Sequence, residues 1–219
     1  APAEDFAAQM YLALREGKDI GEHLADATAA DLRRVSEWEK RMWEEDEEGS
    51  QRYLRTTTTK DAVKETDASY ATLGLTAVHV LARECDDADV MRDAVEKSGV
   101  KILSIPGGRA SDGDEAGWLP IHVAARRVLT LNFSTEVIRV LIELGGPEQL
   151  RTADNDGRLP LHWAALQGNQ DAVHVLMAAG ANREAKARGK TAEDLARGKD
   201  HSVVVELLKA DEPSPTDVV

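Results

Sequence analysis

The chain has little cysteine, no long apolar run and no excess of positive charge. Cys85 is the only cysteine among 219 residues, which excludes an internal disulfide and a zinc site built from several cysteines. No apolar stretch approaches the ~20 residues that span a bilayer, so we expect no direct membrane insertion. With 27 basic and 40 acidic residues the net charge is -13, which opposes binding to nucleic acid.

The remaining composition is that of a folded protein. Hydrophobic residues make up 42% and charged residues 31% of the chain, close to the globular average. The charge is unevenly distributed, because residues 117–199 carry 11 basic and 9 acidic side chains while every other segment is acidic. We therefore expect a mildly basic region within an acidic protein.

Location is predicted only broadly. The single cysteine suits a reducing compartment, and no basic-then-apolar leader is visible at the start of the chain. These features predict an intracellular location, either the cytoplasm or an organelle reached through a targeting peptide that has been removed.

Motifs for catalysis and for cofactors are missing from the sequence. There is no Gly-x-Ser-x-Gly elbow, and Gly107-Gly108-Arg109 lacks the Gly-Lys-Ser/Thr ending of a phosphate-binding loop. His23, His174 and His201 have no metal-ligand spacing. We predict a protein that is not an enzyme, with no cofactor and no metal site.

A repeated motif organises the second half of the chain. The segment GWLPIHVAA at residues 117–125 and the segment GRLPLHWAA at residues 157–165 are identical at six of nine positions. Weaker copies are GLTAVHVLA at residues 74–82 and GKTAEDLAR at residues 189–197. The key glycines are 43, 40 and 32 residues apart, which indicates insertions in the first two units. We place them at residues 104–116 and 126–134.

Each recurring residue type has a structural reason to recur. Glycine permits a positive φ in a turn, and proline suits the first turn of a helix because its missing N–H would be unpaired there. In the third copy Leu161, Ala164, Ala165, Val173 and Leu176 follow helical spacing, and we predict that they form the core between two helices.

The motif resembles the ankyrin repeat, whose pattern is Gly-x-Thr-Pro-Leu-His-x-Ala-Ala, a second helix and a Gly-Ala-Asp/Asn turn. The resemblance implies an all-α solenoid of about four units, near residues 71–112, 113–152, 153–184 and 185–210. It also implies a structural role for His79, His122 and His162, which occupy the histidine position of the repeat. Leu119 and Leu159 replace the usual threonine, so we expect a hydroxyl hydrogen bond to be lost there.

Two segments flank the predicted repeat domain at residues 71–210. Residues 1–70 have apolar helical stripes, one with Phe6 and Met10, and one that starts near Asp26 or Thr28 and runs into the acidic block Glu44–Glu48. This region is either an N-terminal helical cap on the first unit or a docking surface for a partner. Residues 211–219 are predicted to be a flexible acidic tail.

Ankyrin proteins commonly bind partners through turn tips and the inner faces of their first helices. Transferred to this sequence, that rule gives ten candidate partner-binding residues: Trp118, Arg126, Arg127, Asn155, Asp156, Arg158, Leu166, Gln167, Arg188 and Lys190. Arginine and tryptophan are the side chains most enriched at binding hot spots. We expect arginine pairing with an acidic segment of another protein, and Trp118 as the apolar anchor.

The predicted function is a non-enzymatic protein–protein interaction module that acts as an adaptor or scaffold through a concave surface. The alternative is a stoichiometric structural or linker subunit of a large multiprotein complex, which uses its terminal extensions to bind neighbouring subunits.

Overall fold

The computed structural model describes residues 6–15, 18–33, 43–45, 51–53, 75–107, 117–127 and 135–209. Its helices are α1 (Phe6–Arg15), α2 (Ile20–Ala25), α3 (Ala29–Arg33), α4 (Ala77–Glu84), α5 (Ala88–Ser98), α6 (Pro120–Ala125), α7 (Glu136–Gly145), α8 (Pro160–Leu166), α9 (Gln170–Ala178), α10 (Ala192–Arg197) and α11 (Ser202–Lys209). Short 3₁₀ helices cover Val100–Ser104 and Pro147–Leu150.

Helices α4 to α11 form four consecutive pairs that stack in two layers. The first helices contact one another in the order α4, α6, α8, α10, and the second helices in the order α5, α7, α9, α11. Each pair therefore buries its apolar faces against its neighbours in the array. The predicted all-α solenoid of about four units is confirmed.

The turn before each first helix follows from its glycine and proline. Gly117 has a φ of 84° and Gly157 a φ of 75°, in the left-handed region that glycine adopts without strain. Pro120 and Pro160 begin α6 and α8, where no backbone N–H is needed. The same local sequence therefore produces the same turn-to-helix transition twice.

The predicted core of the third unit is confirmed. Leu161 and Val173 are each 1% exposed, and Leu176 is fully buried between α8 and α9. Ala164 and Ala165 are also fully buried, and their small side chains allow neighbouring first helices to approach closely. The buried residues join one hydrophobic cluster that continues from α1 to α11.

The described N-terminal helices pack on the first unit. Helix α1 lies against α4, while α2 and α3 contact α5. Met10 is fully buried in this contact. Arg33 Nε donates to the Ser98 carbonyl at 2.6 Å, and Lys97 Nζ donates to the Leu24 carbonyl at 2.7 Å. Both hydrogen bonds join the N-terminal helices to α5.

One expectation for the N-terminal region is wrong. Helix α3 does start after Thr28, whose hydroxyl accepts from the Asp31 N–H at 3.2 Å, but Trp43–Glu45 is a strand, β1. It pairs in antiparallel fashion with β2 (Gln51–Tyr53). The consecutive carboxylates of Glu44–Glu48 repel one another on a helix, and Gly49 is a weak helix former, which disfavours a helix there.

Several predicted features lie outside the described residues. These are residues 34–42 of the second N-terminal stripe, most of the insertion at 104–116 (residues 108–116), the insertion residues 128–134, and the tail at 211–219.

Candidate partner-binding surface

The repeat histidines are structural. Nδ1 of His79 accepts from the Thr76 N–H at 3.3 Å, so the neutral ring carries its proton on Nε2, which donates to the Trp118 carbonyl at 2.9 Å. Nδ1 of His162 likewise accepts from the Leu159 N–H at 3.0 Å, and its Nε2 lies 3.0 Å from the Ala185 carbonyl. Each ring therefore links its own turn to the turn of the next unit.

Burial keeps these rings neutral. Desolvation lowers the pKa of His79 to about 4, although the hydrogen bond to the Trp118 backbone opposes the shift. Burial also lowers the pKa of His122 to about 4 and shifts the pKa of His162 downward. Within the described part of the chain, no group of three or more His, Cys, Asp or Glu side chains is placed to hold a metal ion.

The threonine replacements have the expected local effect. In the first unit the Thr76 hydroxyl lies 2.7 Å from His79 Nδ1. Leu119 and Leu159 have no hydroxyl, so only their backbone N–H groups reach the histidine Nδ1, each at 3.0 Å. The middle units therefore retain the hydrogen bond from the backbone N–H to the histidine and lose the contact made by the threonine hydroxyl.

A stack of arginine and tryptophan side chains spans the second and third units. The rings of Trp118 and Trp163 meet edge to face, with centroids 5.2 Å apart. The Arg126 guanidinium lies 4.7 Å from the Trp118 ring and 5.4 Å from the Trp163 ring, and the Arg158 guanidinium lies 4.7 Å from the Trp163 ring. These distances are within the range of cation–π attraction. We call these four side chains the arginine–tryptophan stack.

Asp154 fixes the base of this stack. Its Oδ2 accepts from Trp163 Nε1 at 2.8 Å, and its Oδ1 accepts from the backbone N–H groups of Asp156 and Arg158 at 2.9 and 2.8 Å. The buried carboxylate thus sets both the tryptophan ring and the following turn. Sequence reasoning missed Asp154 and Trp163. The signal was present, because Trp163 is a large aromatic where the preceding copy has Val123.

Asp156 connects the third and fourth units. Its carboxylate, with a side chain only 4% exposed, pairs with the Arg188 guanidinium. The other oxygen, Oδ2, lies 3.2 Å from Arg158 Nη1. Arg188 itself is 61% exposed. One carboxylate therefore lies between two guanidinium groups from neighbouring turns.

Arg127 has a different environment from the one expected. Its side chain is 9% exposed, pairs with Asp86 at 2.7 Å and donates to the Cys85 carbonyl at 2.7 Å. Its backbone carbonyl accepts from Asn169 Nδ2 at 3.2 Å. Arg127 thus links the first three units from within, and the expectation that it faces a partner's carboxylate is wrong.

Trp118 also departs from its expected role. It is 6% exposed and lies beneath Arg126, so its ring is not the exposed apolar anchor that the sequence suggested. The ring instead contacts the Arg126 guanidinium within the protein.

The other candidates lie around the stack or along the first helices. Asn155 is exposed at the tip of the third turn. It lies close to Gly117, where the Cβ atom of any other residue would be only 2.5 Å from Asn155 Oδ1. Leu166 and Gln167 are partly buried at the end of α8, and Lys190 is exposed in the fourth turn. The contacts therefore join Trp118, Arg126, Asp156, Arg158 and Arg188.

Comparison with known proteins identifies the family. The family model for ankyrin repeats (3 copies) matches residues 90–187 and 131–217, together more than half of the chain. The chain therefore belongs to the ankyrin repeat family. Ankyrin repeats generally mediate protein–protein interaction and are generally non-enzymatic.

Three relatives match parts of this chain. Residues of this chain are 34% identical over 96 residues to ankyrin repeat and SOCS box protein 3 of Bos taurus, covering 42% of the chain and 17% of the relative. The chain is 30% identical over 147 residues to tyrosine-protein kinase HTK16 of Hydra vulgaris, and the match covers 67% of the chain and 17% of the relative. It is 34% identical over 112 residues to the probable E3 ubiquitin-protein ligase XBOS34 of Oryza sativa, where the match covers 51% of the chain and 21% of the relative. The chain thus spans about a fifth or less of each relative.

The described residues contain no candidate membrane-spanning helix. None of the helices in that part of the chain has the length and apolar character needed to cross a bilayer.

Proposed function

We propose that this chain is a non-enzymatic protein-interaction module, an adaptor or scaffold, and that its partner contributes an acidic segment. The binding surface is the side formed by the turns and the first helices, which is the concave side in the ankyrin family. The observation that carries the proposal is the arginine–tryptophan stack, continued by the Asp156–Arg188 pair into the fourth unit.

The stack favours binding because it fixes arginine side chains before a partner arrives. A guanidinium group held against indole rings has lost much of its rotamer freedom, so less entropy is lost when it forms a new hydrogen bond. Arg126 lies against both the Trp118 and the Trp163 ring in this way. Its planar fork suits the two oxygens of a carboxylate.

Charge also favours an acidic partner. Residues 117–199 carry two more basic than acidic side chains in a chain whose net charge is -13. Arg188 and Lys190 are exposed on the fourth turn of this region. A partner with Asp and Glu side chains is attracted to this surface and repelled by the rest of the molecule.

The test uses Arg126→Ala and Arg188→Ala, measured separately against a glutamate-rich synthetic peptide by fluorescence anisotropy. Each change should weaken binding, and binding by the unmodified protein should fall as salt rises to physiological ionic strength. Arg139→Ala is the matched control, because Arg139 is exposed on the second-layer helix α7 and pairs with Glu136 at 3.3 Å. An equal effect of all three changes, or binding that does not depend on salt, would contradict the proposal.

The second candidate function is a stoichiometric structural or linker subunit of a larger complex. Helices α1 to α3 direct their buried side chains, including Met10, Leu24 and Leu32, into the repeat array. These side chains are therefore not offered to a neighbouring subunit, which favours the adaptor proposal. Co-purification at a fixed ratio with one partner through high salt would instead support the structural subunit.

The division into residues 1–70, 71–210 and 211–219, with units near 71–112, 113–152, 153–184 and 185–210, remains our proposal for the domain organisation. The described helices support the repeat part, since α4/α5, α6/α7, α8/α9 and α10/α11 each fall within one proposed unit.

A further inference from the structure

The pairing of Asp156 is unusual for a buried carboxylate. Its side chain is 4% exposed, yet among the described residues Oδ2 has no hydrogen-bond partner. The Arg158 Nη1 contact at 3.2 Å is an ion pair without hydrogen-bond geometry. A buried charged oxygen that lacks a hydrogen bond lowers stability, so the arrangement is not optimised for folding alone.

The partner of Asp156 on the next unit is also strained. Arg188 has a φ of 48°, in the left-handed region that side chains other than glycine, asparagine and aspartate avoid. The fourth turn is tight, because Ala187 and Lys190 exchange backbone hydrogen bonds of 2.9 and 3.0 Å around Arg188 and Gly189. The tight turn and the ion pair together hold an arginine at an exposed tip.

Arg158 and Arg188 differ in their freedom to exchange partners. The side chain of Arg158 is 17% exposed and lies on the Trp163 ring, whereas that of Arg188 is 61% exposed. A partner can therefore reach Arg188 first. If Arg188 leaves, Asp156 keeps its contact with Arg158 and is not left as an isolated buried charge.

We infer that Asp156 is an internal competitor for the partner's carboxylate, and that a Glu or Asp side chain of the bound segment takes Arg188 from it. This inference rests on the proposed function, because it requires an acidic partner on this surface. The ligand at this point is a carboxylate, since the Asp156 carboxylate already pairs with Arg158 and Arg188 in the unbound protein. Asp156 therefore reduces the affinity for acidic segments and favours those that supply a well-placed carboxylate.

The main variant is Asp156→Asn, which removes the competing charge and keeps the size of the side chain. The Asp156 backbone N–H donates to Asp154, so the turn retains that hydrogen bond. The probe is a labelled glutamate-rich peptide, with its glutamine version as the uncharged comparison. We expect the affinity for the glutamate peptide to rise about two- to fivefold, the range of one partly exposed ion pair.

Asp171→Asn is the matched control. Asp171 is exposed in the first turn of α9, on the second helix layer, so the substitution makes the same change in net charge at another site. A general charge effect predicts equal gains for the two variants. Our inference predicts a clearly larger gain for Asp156→Asn.

Arg188→Ala, made alone and together with Asp156→Asn, completes a double-mutant cycle. Alone it should weaken binding, and in the Asp156→Asn background it should abolish the gain, because the released arginine is then missing. If Asp156→Asn does not fold, as judged by thermal unfolding, unchanged affinity in Arg188→Ala still overturns the inference.

The outcomes separate this inference from the proposed function. Suppose that the peptide binds and that Arg126→Ala weakens its binding, but that Asp156→Asn raises the affinity no more than Asp171→Asn does. The inference that Asp156 competes for Arg188 is then wrong, and the acidic-partner proposal stands. If no variant binds the glutamate peptide more tightly than the glutamine peptide at low salt, the acidic-partner proposal fails and the inference fails with it.

Discussion

Four arginines near the predicted binding surface have different roles because each has different nearest neighbours. Arg126 lies against two tryptophan rings, whereas Arg127, the next residue, pairs with Asp86 and the Cys85 carbonyl and is almost fully buried. Arg158 and Arg188 share one carboxylate but differ greatly in exposure. Residue type and motif position could not separate these roles, since they depend on contacts between units.

A second residue-scale consequence concerns core packing in the third unit. Leu176 is fully buried between α8 and α9. Leu176→Ala should reduce the free energy of unfolding by about 2 to 5 kcal/mol, because the removed methyl groups leave a cavity. Urea denaturation monitored by circular dichroism gives the value. His174→Ala is the control on the same helix; His174 is exposed, and we expect a change within about 0.5 kcal/mol. Equal midpoints for the two variants would contradict the assigned core.

The buried histidines predict acid sensitivity. The pKa of His79 and of His122 is lowered from 6.5 to about 4, so the unfolded chain binds more protons than the folded chain between these values. Stability is therefore fully present above pH 6.5 and is lost as pH falls towards 4. From the linkage relation, each ring should cost on the order of 2 kcal/mol at pH 5.

The measurement is the free energy of unfolding at pH 7 and at pH 5, where most carboxylates stay charged. His79→Gln should lower stability at pH 7 but reduce the loss between the two pH values. His174→Gln, at an exposed position, should retain the full pH dependence. A pH dependence that His79→Gln leaves intact would show that this ring does not contribute.

At the scale of elements, the sequence predicted the first helices of the middle repeats better than the short N-terminal elements. Pro120 and Pro160 marked the first residues of α6 and α8 correctly. Helix α2 and the strand at Trp43–Glu45 were missed. Asp19, whose carboxylate accepts from the Gly21 N–H at 2.8 Å, was an available signal for the start of α2. Short elements of this kind are determined by tertiary contacts as well as by local propensity.

The contact between α1 and α4 leads to an element-scale prediction. Met10 is fully buried where the N-terminal helices meet the first unit. Met10→Ala should lower the free energy of unfolding by about 2 to 5 kcal/mol through a cavity at this contact. Thermal and urea unfolding test it, with Lys101→Ala at an exposed position as the control. No loss of stability would mean that α1 does not act as a cap.

At the scale of the whole molecule, the sequence predicted the array but not the surface that runs across it. The repeat period and the Ala-Ala pairs indicated how units stack, since each unit carries its own local signals. The arginine–tryptophan stack depends on side chains from adjoining units, and Asp154 and Trp163 acquire their role only when α6 and α8 lie side by side. Pairwise geometry of this kind is not encoded in any single copy of the motif.

The continuous core predicts how loss of the N-terminal region spreads. The hydrophobic cluster runs from α1 to α11, but each unit contacts mainly its neighbours. In such an array stability is approximately a sum of unit and interface contributions. Deleting residues 1–70 should therefore destabilise the first unit most and reduce solubility, because fully buried Val78 and Leu81 in α4 lose the cover of α1.

Hydrogen exchange measured by mass spectrometry shows which helices are destabilised by the deletion. In the shortened protein, backbone amides of α4 and α5 should exchange much faster, those of α6 and α7 moderately faster, and those of α10 and α11 nearly as before. Deleting residues 211–219 is the control and should leave exchange in α4 and α5 unchanged. If residues 71–219 remain monomeric and unfold at the same urea concentration as the full chain, the N-terminal helices are not a cap. Their role as a docking surface for a partner then becomes the better hypothesis.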